Sequence, residues 1–283
     1  MTLYAVLSAA AGVSDGLVAR VRAQLTDPGA PRRLADTAVE IACAAPGTAT
    51  APDGLDLNFV PEERREKRML IADMDSTMIP VECIDELADF AGVKDRVADI
   101  TERAMQGELD FEAALRERVG LVAGLPVSAL EKCYDERISL NPGARTLVRT
   151  MAARGAQTAL VSGGFTFFTA RVAAAAGFAV NRANTLIFED DRLTGEVGMP
   201  ILGRQAKLDA LHELAQAGGF QPEDVIAVGD GANDLAMVEA AGVGVAYRAK
   251  KALRDGADAV LDHSDLTALL ALQGIAESHW LRD

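Results

Sequence analysis

Positive charge is scarce in this chain. Its 283 residues include 28 lysines and arginines against 42 aspartates and glutamates, a net charge of −14. A field of that sign argues against a general binder of nucleic acid or of anionic membrane surfaces. It leaves an anionic substrate open, because a cation or a nest of amides can reverse the sign inside a pocket. Cysteine is scarce too. Cys43, Cys83 and Cys133 are widely spaced, odd in number and form no CxxC pair, so they read as reduced, partly buried thiols of a cytoplasmic protein. A long apolar run is also missing. The opening "MTLYAVLSAAAG" has no basic stretch before it and meets Asp15 too soon for a membrane span, so it reads as a first β-strand. With 49% hydrophobic and 25% charged residues the composition is that of an ordinary globular protein. The length suits one large domain, or two with an appendage.

Along the chain, residues 1–68 stand apart. "LYAVLSA" reads as a strand, "DGLVARVRAQL" as a helix and "DTAVEIACA" as a second strand, and "APGTATAPDG" is turn-rich. This is an α/β appendage without site chemistry, followed by the charged "PEERREKR". From Met69, strands rich in Val, Ile, Leu and Ala alternate with helical patterns: "RMLIAD", "AQTALVSGG", "DVIAVGDG" and "VGVAY" are the strands. Such alternation predicts a parallel sheet covered on both faces, with ligands beyond the carboxyl ends of the strands. Residues 82–138 are helical throughout, with apolar residues at Ile84, Leu87, Ala88 and Ala91, and Asp110 placed to cap a helix. The expected division is therefore an appendage over 1–68, a core over 69–81 and 139–283, and a helical cap over 82–138 inserted after the first core strand. "LIFEDDRLTGEVG" reads as a small hairpin.

Four polar clusters follow expected strands: Asp73-Met74-Asp75-Ser76-Thr77, Ser162-Gly163-Gly164, Lys207, and Gly229-Asp230-Gly231-Ala232-Asn233-Asp234. Each has an ordinary reading by itself. Asp75 would cap the next helix, "SGG" would be a turn and Lys207 a solvated helix residue. "GDGAND" would be an acidic loop, although it lacks the spacing and terminal Glu of an EF-hand. Four such clusters at one sheet edge are hard to attribute to capping, and buried carboxylates need a partner or a cation. The chemistry that fits is phosphoryl transfer. Asp73 and Asp230 offer hard oxygens suited to Mg²⁺. A carboxylate nucleophile at Asp73 gives an aspartyl-phosphate, and Asp75 can serve as general acid and base. Ser162 and the amide of Gly163 can donate to phosphate oxygens, while Lys207 offsets developing negative charge.

"DMDST", "VSGG", Lys207 and "GDGAND" resemble, in order, the four motifs of the haloacid dehalogenase-like phosphatases. That resemblance implies a Rossmann-like core with a cap, Mg²⁺ and an aspartyl-phosphate intermediate. It also implies that Asp75 joins Asp73 and Asp230 at the metal, that Asn233 meets substrate, and that Asp234 and Thr77 support the site. "DSTMIPVECIDELADFAG", "MQGELDFEAALRERV" and "LTGEV" are similar to the phosphoserine phosphatase branch. There the residue matching Glu82 faces the substrate ammonium, the one matching Arg118 holds its carboxylate, and the one matching Phe111 closes over it. Read without the resemblance, Glu82 is a first-turn helix acid, Arg118 a surface arginine and Phe111 a core aromatic. The leading expectation is Mg²⁺-dependent hydrolysis of O-phospho-L-serine, the last step of serine biosynthesis. The rivals are a phosphatase for phosphothreonine, phosphoethanolamine or a sugar phosphate, a phosphoacceptor switch, and an inactive binding protein. The expected partner is a small phosphomonoester, with a homodimer left open.

Overall fold

The computed structural model describes residues 2–105 and 108–282; Gln106 and Gly107, within the "MQGELDF" stretch, lie outside them. The chain starts with β1 (Leu3–Ser8), α1 (Asp15–Arg22), β2 (Pro31–Ala35), β3 (Ala38–Cys43) and β4 (Asp56–Pro61). These strands form an antiparallel sheet of order β2-β3-β1-β4. Sequence reading expects two strands here and the structure has four. Strand β2 escapes notice because Pro31, Arg32 and Arg33 are exposed at a sheet edge, where apolar patterning is not required. Strand β4 follows directly on the turn-rich stretch and mixes polar with apolar residues.

Strand β5 (Met69–Ala72) is fully buried and enters the second sheet. Helices α2 (Cys83–Phe90), α3 (Lys94–Met105), α4 (Phe111–Leu121) and α5 (Val127–Arg137) follow. Then come α6 (Ala144–Ala153), β6 (Gln157–Phe165), α7 (Thr166–Ala176) and β7 (Val180–Asn184). A hairpin of β8 (Leu186–Glu189) and β9 (Arg192–Val197) turns at Asp190 and Asp191, both left-handed with φ of 47° and 58°. The chain ends in α8 (Arg204–Gly218), β10 (Val225–Gly229), α9 (Leu235–Ala240), β11 (Val243–Tyr247), α10 (Lys251–Arg254), β12 (Ala259–Leu261) and α11 (Ala268–Leu272).

The second sheet is parallel throughout, with strand order β12-β11-β10-β5-β6-β7. Its central strands carry buried apolar residues on both faces, as the unbroken Val/Ile/Leu/Ala runs require. The α/β class with a Rossmann-like parallel sheet is thus as expected. The strand expected over "AQTALVSGG" is β6, which runs on to Phe165 with its pairing to β7 shifted between Val161 and Phe165, so the turn that "SGG" alone would suggest does not form. Lys207 is no solvated residue: it lies in the first turn of α8 and is 2% exposed.

The two sheets are joined by side chains imitating a strand. Asn58 of β4 donates to Val260 O (3.0 Å) and accepts from Val260 N (2.8 Å), along the free edge of β12. The buried Asp56 carboxylate accepts from Asp262 N, His263 N, Ser264 N and Ser264 Oγ. Arg65 closes the other side, pairing with the buried Glu40 at 2.7 Å and donating to the terminal carbonyls of α11 at Ala271 and Leu272. Asp56→Ala strands four donors at once. Such a change is expected to lower unfolding free energy by about 2–4 kcal/mol in chemical denaturation, with turnover per folded molecule retained. Unchanged stability would show that these contacts do not hold the sheets together.

Candidate active site

The carboxyl ends of β5, β6 and β10 bring the polar clusters to one edge of the parallel sheet. Asp73 follows β5, its amide tied to Val228 O of β10 at 3.0 Å. Asp230 follows β10, Ser162 lies near the end of β6, and α8 lowers Lys207 between them. Lys207 Nζ sits 2.7 Å from Asp73 Oδ1 and 2.5 Å from Asp234 Oδ1. Asp234 Oδ2 accepts from the amides of Asp230 and Gly231, each at 3.2 Å, so both of its oxygens are engaged. Gly229 has to be glycine, since a Cβ there would overlap the Asp234 carboxyl. Thr77 Oγ1 donates to Asp230 Oδ1 at 3.3 Å.

The charges here do not balance. Asp73, Asp230 and Asp234 are buried together with the Lys207 ammonium, and Asp75 is buried close by. Burial first, then the charge of Asp234, pushes Asp73 up to about 7, against the pull of Lys207. Asp230 is pushed well up by burial and by Asp234 and Asp73. Asp75 is pushed well up by burial, with Glu82 and Asp73 adding to it. Lys207 moves upward: burial would lower it, but the carboxylates of Asp234 and Asp73 outweigh that. This excess of buried negative charge is what a bound cation relieves. One carboxylate oxygen each from Asp73, Asp230 and Asp234 lies within 4.8 Å of the others. Asp73 Oδ1 is buried and touches Lys207 without a hydrogen bond of good geometry, an oxygen still short of a donor. With Asp234 occupied, Asp73 and Asp230 are the residues fitted to hold a hard divalent ion. The Asp75 carboxylate lies outside that triad; its Oδ1 accepts from Cys83 N at 3.3 Å, capping α2 as its isolated reading anticipates.

The helices after β5 form the opposite wall. Glu82 occupies the N-cap position of α2, one residue before the first turn, and accepts from Ser76 Oγ at 2.6 Å. Ser76 adopts φ of 55°, the left-handed turn that reverses the chain between Asp75 and α2. Asp110 caps α4 through Ala113 N at 2.9 Å, which sets Phe111 at the helix start. The Phe111 ring lies against two core glycines: a Cβ on Gly163 would come to 3.0 Å of its Cζ, and one on Gly203 to 3.2 Å of its Cδ1. Arg118 is buried, 7% exposed, and among the described residues no ion pair within 4.0 Å is formed by it. Burial therefore lowers its guanidinium pKa, opposed by Glu82, Asp85 and Asp75.

One cavity connects Asp73, Asp75, Asp230, Asn233, Ser162 and Gly163 on the sheet side with Glu82, Phe111 and Arg118 on the helical side. Lys207, Asp234 and Thr77 stand behind its wall. Two residues were missed by sequence reading. Asn184, at the end of β7, donates to Gly163 O (2.8 Å) and Leu202 O (3.2 Å) and accepts from Leu202 N (2.7 Å), pinning the Ser162–Gly164 segment to the loop before α8. Asn141 donates to Thr77 O at 2.8 Å and steadies the turn after Asp75. Neither carries a local motif; their only cue is position at an element boundary.

A family model of haloacid dehalogenase-like hydrolases matches residues 70–239. The chain belongs to the haloacid dehalogenase-like hydrolases. Within that family it is 46% identical over 221 residues to a phosphoserine phosphatase of Archaeoglobus fulgidus, a match covering 77% of this chain and 64% of that one. It thus spans less than two thirds of that relative's length. A phosphoserine phosphatase of Albidiferax ferrireducens is 45% identical over 80% of this chain and 98% of its own. A solved phosphoserine phosphatase, captured as an analogue of its phospho-aspartyl intermediate, superposes with a TM-score of 0.70 at 39% identity, covering 73% of this chain and 98% of that one. Among the described residues no helix is long and apolar enough to cross a membrane.

Proposed function

We propose that the chain hydrolyses O-phospho-L-serine to L-serine and phosphate in the cytoplasm, as the final step of serine biosynthesis, with Mg²⁺ held by Asp73 and Asp230. The observation that carries this reading is Arg118: a buried guanidinium that forms no ion pair within 4.0 Å among the described residues, in the same cavity as Glu82 and the Asp73 cluster. An unpaired buried cation is costly unless the ligand brings an anion, and a guanidinium pairs with a carboxylate through two parallel hydrogen bonds. Glu82, on the same wall, supplies the complementary anion for an ammonium. The cavity therefore suits a phosphomonoester whose far end is a zwitterion.

Bound Mg²⁺ would supply neutralisation of the phosphate charge. Asp73 attacks phosphorus, and the phosphoryl group passes to its carboxylate. Asp75, whose pKa burial and the neighbouring carboxylates of Glu82 and Asp73 raise, donates a proton to the departing serine oxygen and then takes one from the water that discharges the acyl phosphate. Ser162, the amide of Gly163 and Asn233 stabilise the phosphoryl oxygens, while Lys207, against Asp73 behind the cavity wall, offsets the negative charge that builds there. Residues 82–138 act as the cap, with Phe111 against Gly163 and Gly203 excluding water.

Phosphate release from O-phospho-L-serine, O-phospho-L-threonine, phosphoethanolamine and a sugar phosphate, in Mg²⁺ and in chelator, tests this. Expected are dependence on the cation and a preference for phosphoserine over phosphoethanolamine of about 10²-fold or more in kcat/KM, the worth of one buried charge pair. Equal turnover of all four esters would discard the roles of Glu82 and Arg118 while leaving the Asp73 chemistry intact.

A further inference from the structure

The guanidinium of Arg118 is held by a neutral hydroxyl of the same cavity wall, Thr101, and not by a carboxylate in direct contact. Arg118 Nη1 donates to Thr101 Oγ1 at 3.0 Å, and its Nε donates to Ala114 O of its own helix at 3.3 Å. Thr101 is 3% exposed and lies 2.7 Å from Asp85 Oδ1 and 2.9 Å from Val97 O. Its one proton goes to either of these acceptors, and the shorter, charge-assisted contact is the one to Asp85. Asp85 belongs to α2, Thr101 to α3 and Arg118 to α4, so the chain of contacts spans three helices of the cavity wall.

We propose that Thr101, oriented by Asp85, is the positioning residue that aims Arg118 at the substrate carboxylate and thereby sets selectivity for amino-acid phosphoesters. This rests on the carboxylate-binding reading of Arg118 given above. An arginine side chain has several rotatable bonds, and leaving them unconstrained would spend part of the binding energy on ordering. A carboxylate in direct contact would order it too, but would neutralise the charge and compete with substrate. A threonine hydroxyl avoids this conflict. It accepts one guanidinium N–H, transmits the polarisation of Asp85, and leaves the remaining donors for the ligand.

The test compares Thr101→Val, Thr101→Ser and Arg118→Ala on phosphoserine and phosphoethanolamine, which share the phosphate and ammonium and differ in the carboxylate. Thr101→Val is expected to raise KM for phosphoserine about tenfold, the loss of one hydrogen bond to a charged group. Its kcat should stay within about twofold, as for lost uniform binding. Its kcat/KM for phosphoethanolamine should be unchanged, and Thr101→Ser should restore the phosphoserine KM. An unaltered KM in Thr101→Val, an equal loss on both esters, or failure of serine to rescue would overturn the proposal. Impaired Arg118→Ala beside intact Thr101→Val sinks the positioning role alone. Undiminished phosphoserine turnover in Arg118→Ala sinks the carboxylate reading and this proposal with it.

Discussion

Asn in place of Asp73 is expected to cut phosphate release by at least about 10⁴-fold, the scale seen when a nucleophile is lost. The amide keeps the shape of the side chain but has no carboxylate to attack phosphorus and offers a weaker oxygen to a cation. Stability should move the other way. Burial and Asp234 raise the Asp73 pKa from 3.8 to about 7, so between those values the native state binds more protons than the unfolded chain. Its contribution is therefore destabilising as pH rises through that window. Asn removes one of four crowded carboxylates, and in metal-free buffer at neutral pH the variant should melt no lower than the parent. Inactivity with an undiminished melting temperature separates loss of chemistry from loss of fold. A variant that is both inactive and unfolded would mean that Asp73 is chiefly the structural partner of Lys207.

Arg118→Ala should raise KM for phosphoserine by about 30- to 10³-fold, corresponding to about 2–4 kcal/mol for a buried ion pair with the ligand. The effect on phosphoethanolamine should be small, because no carboxylate is there to lose. Removal of Arg118 breaks no ion pair within 4.0 Å among the described residues but takes a nearby counter-charge from Glu82 and Asp85, so a modest loss of stability is expected beside the large loss of binding. Steady-state kinetics on the two esters reads both numbers. Equal losses on the two would indicate that Arg118 shapes the cavity without recognising the carboxylate.

Much of the core was legible because its physics is local. Unbroken apolar runs such as "MLIA" and "VIAV" name buried parallel strands, and polar residues at their ends name the ligand edge. What single residues leave ambiguous depends on partners distant in sequence. Lys207 alone looks solvated; it is buried only because Asp73 and Asp234 wait where α8 lands. "SGG" alone suggests a turn but within "AQTALVSGG" reads as strand, and β7 and Asn184 do hold it extended beside Asp75, where a Cβ on Gly164 would lie 2.8 Å from Asp75 Oδ2. The strands β2 and β4 were hidden because an edge strand and a docking strand need no apolar alternation. Phe111, Glu82 and Arg118 drew attention through resemblance and not pattern: each fits an ordinary helix position, and only the fold puts them in one cavity with Asp73.

The central claim is that Asp73 becomes phosphorylated during turnover of phosphoserine. Acid quenching over a range of times within the first turnovers, followed by peptide mass spectrometry, tests it most directly. A transient phosphoryl group is expected on the peptide carrying Asp73, absent in Asp73→Asn and absent when Mg²⁺ is chelated. A phosphoryl group on a different residue, or full turnover by Asp73→Asn, would contradict it.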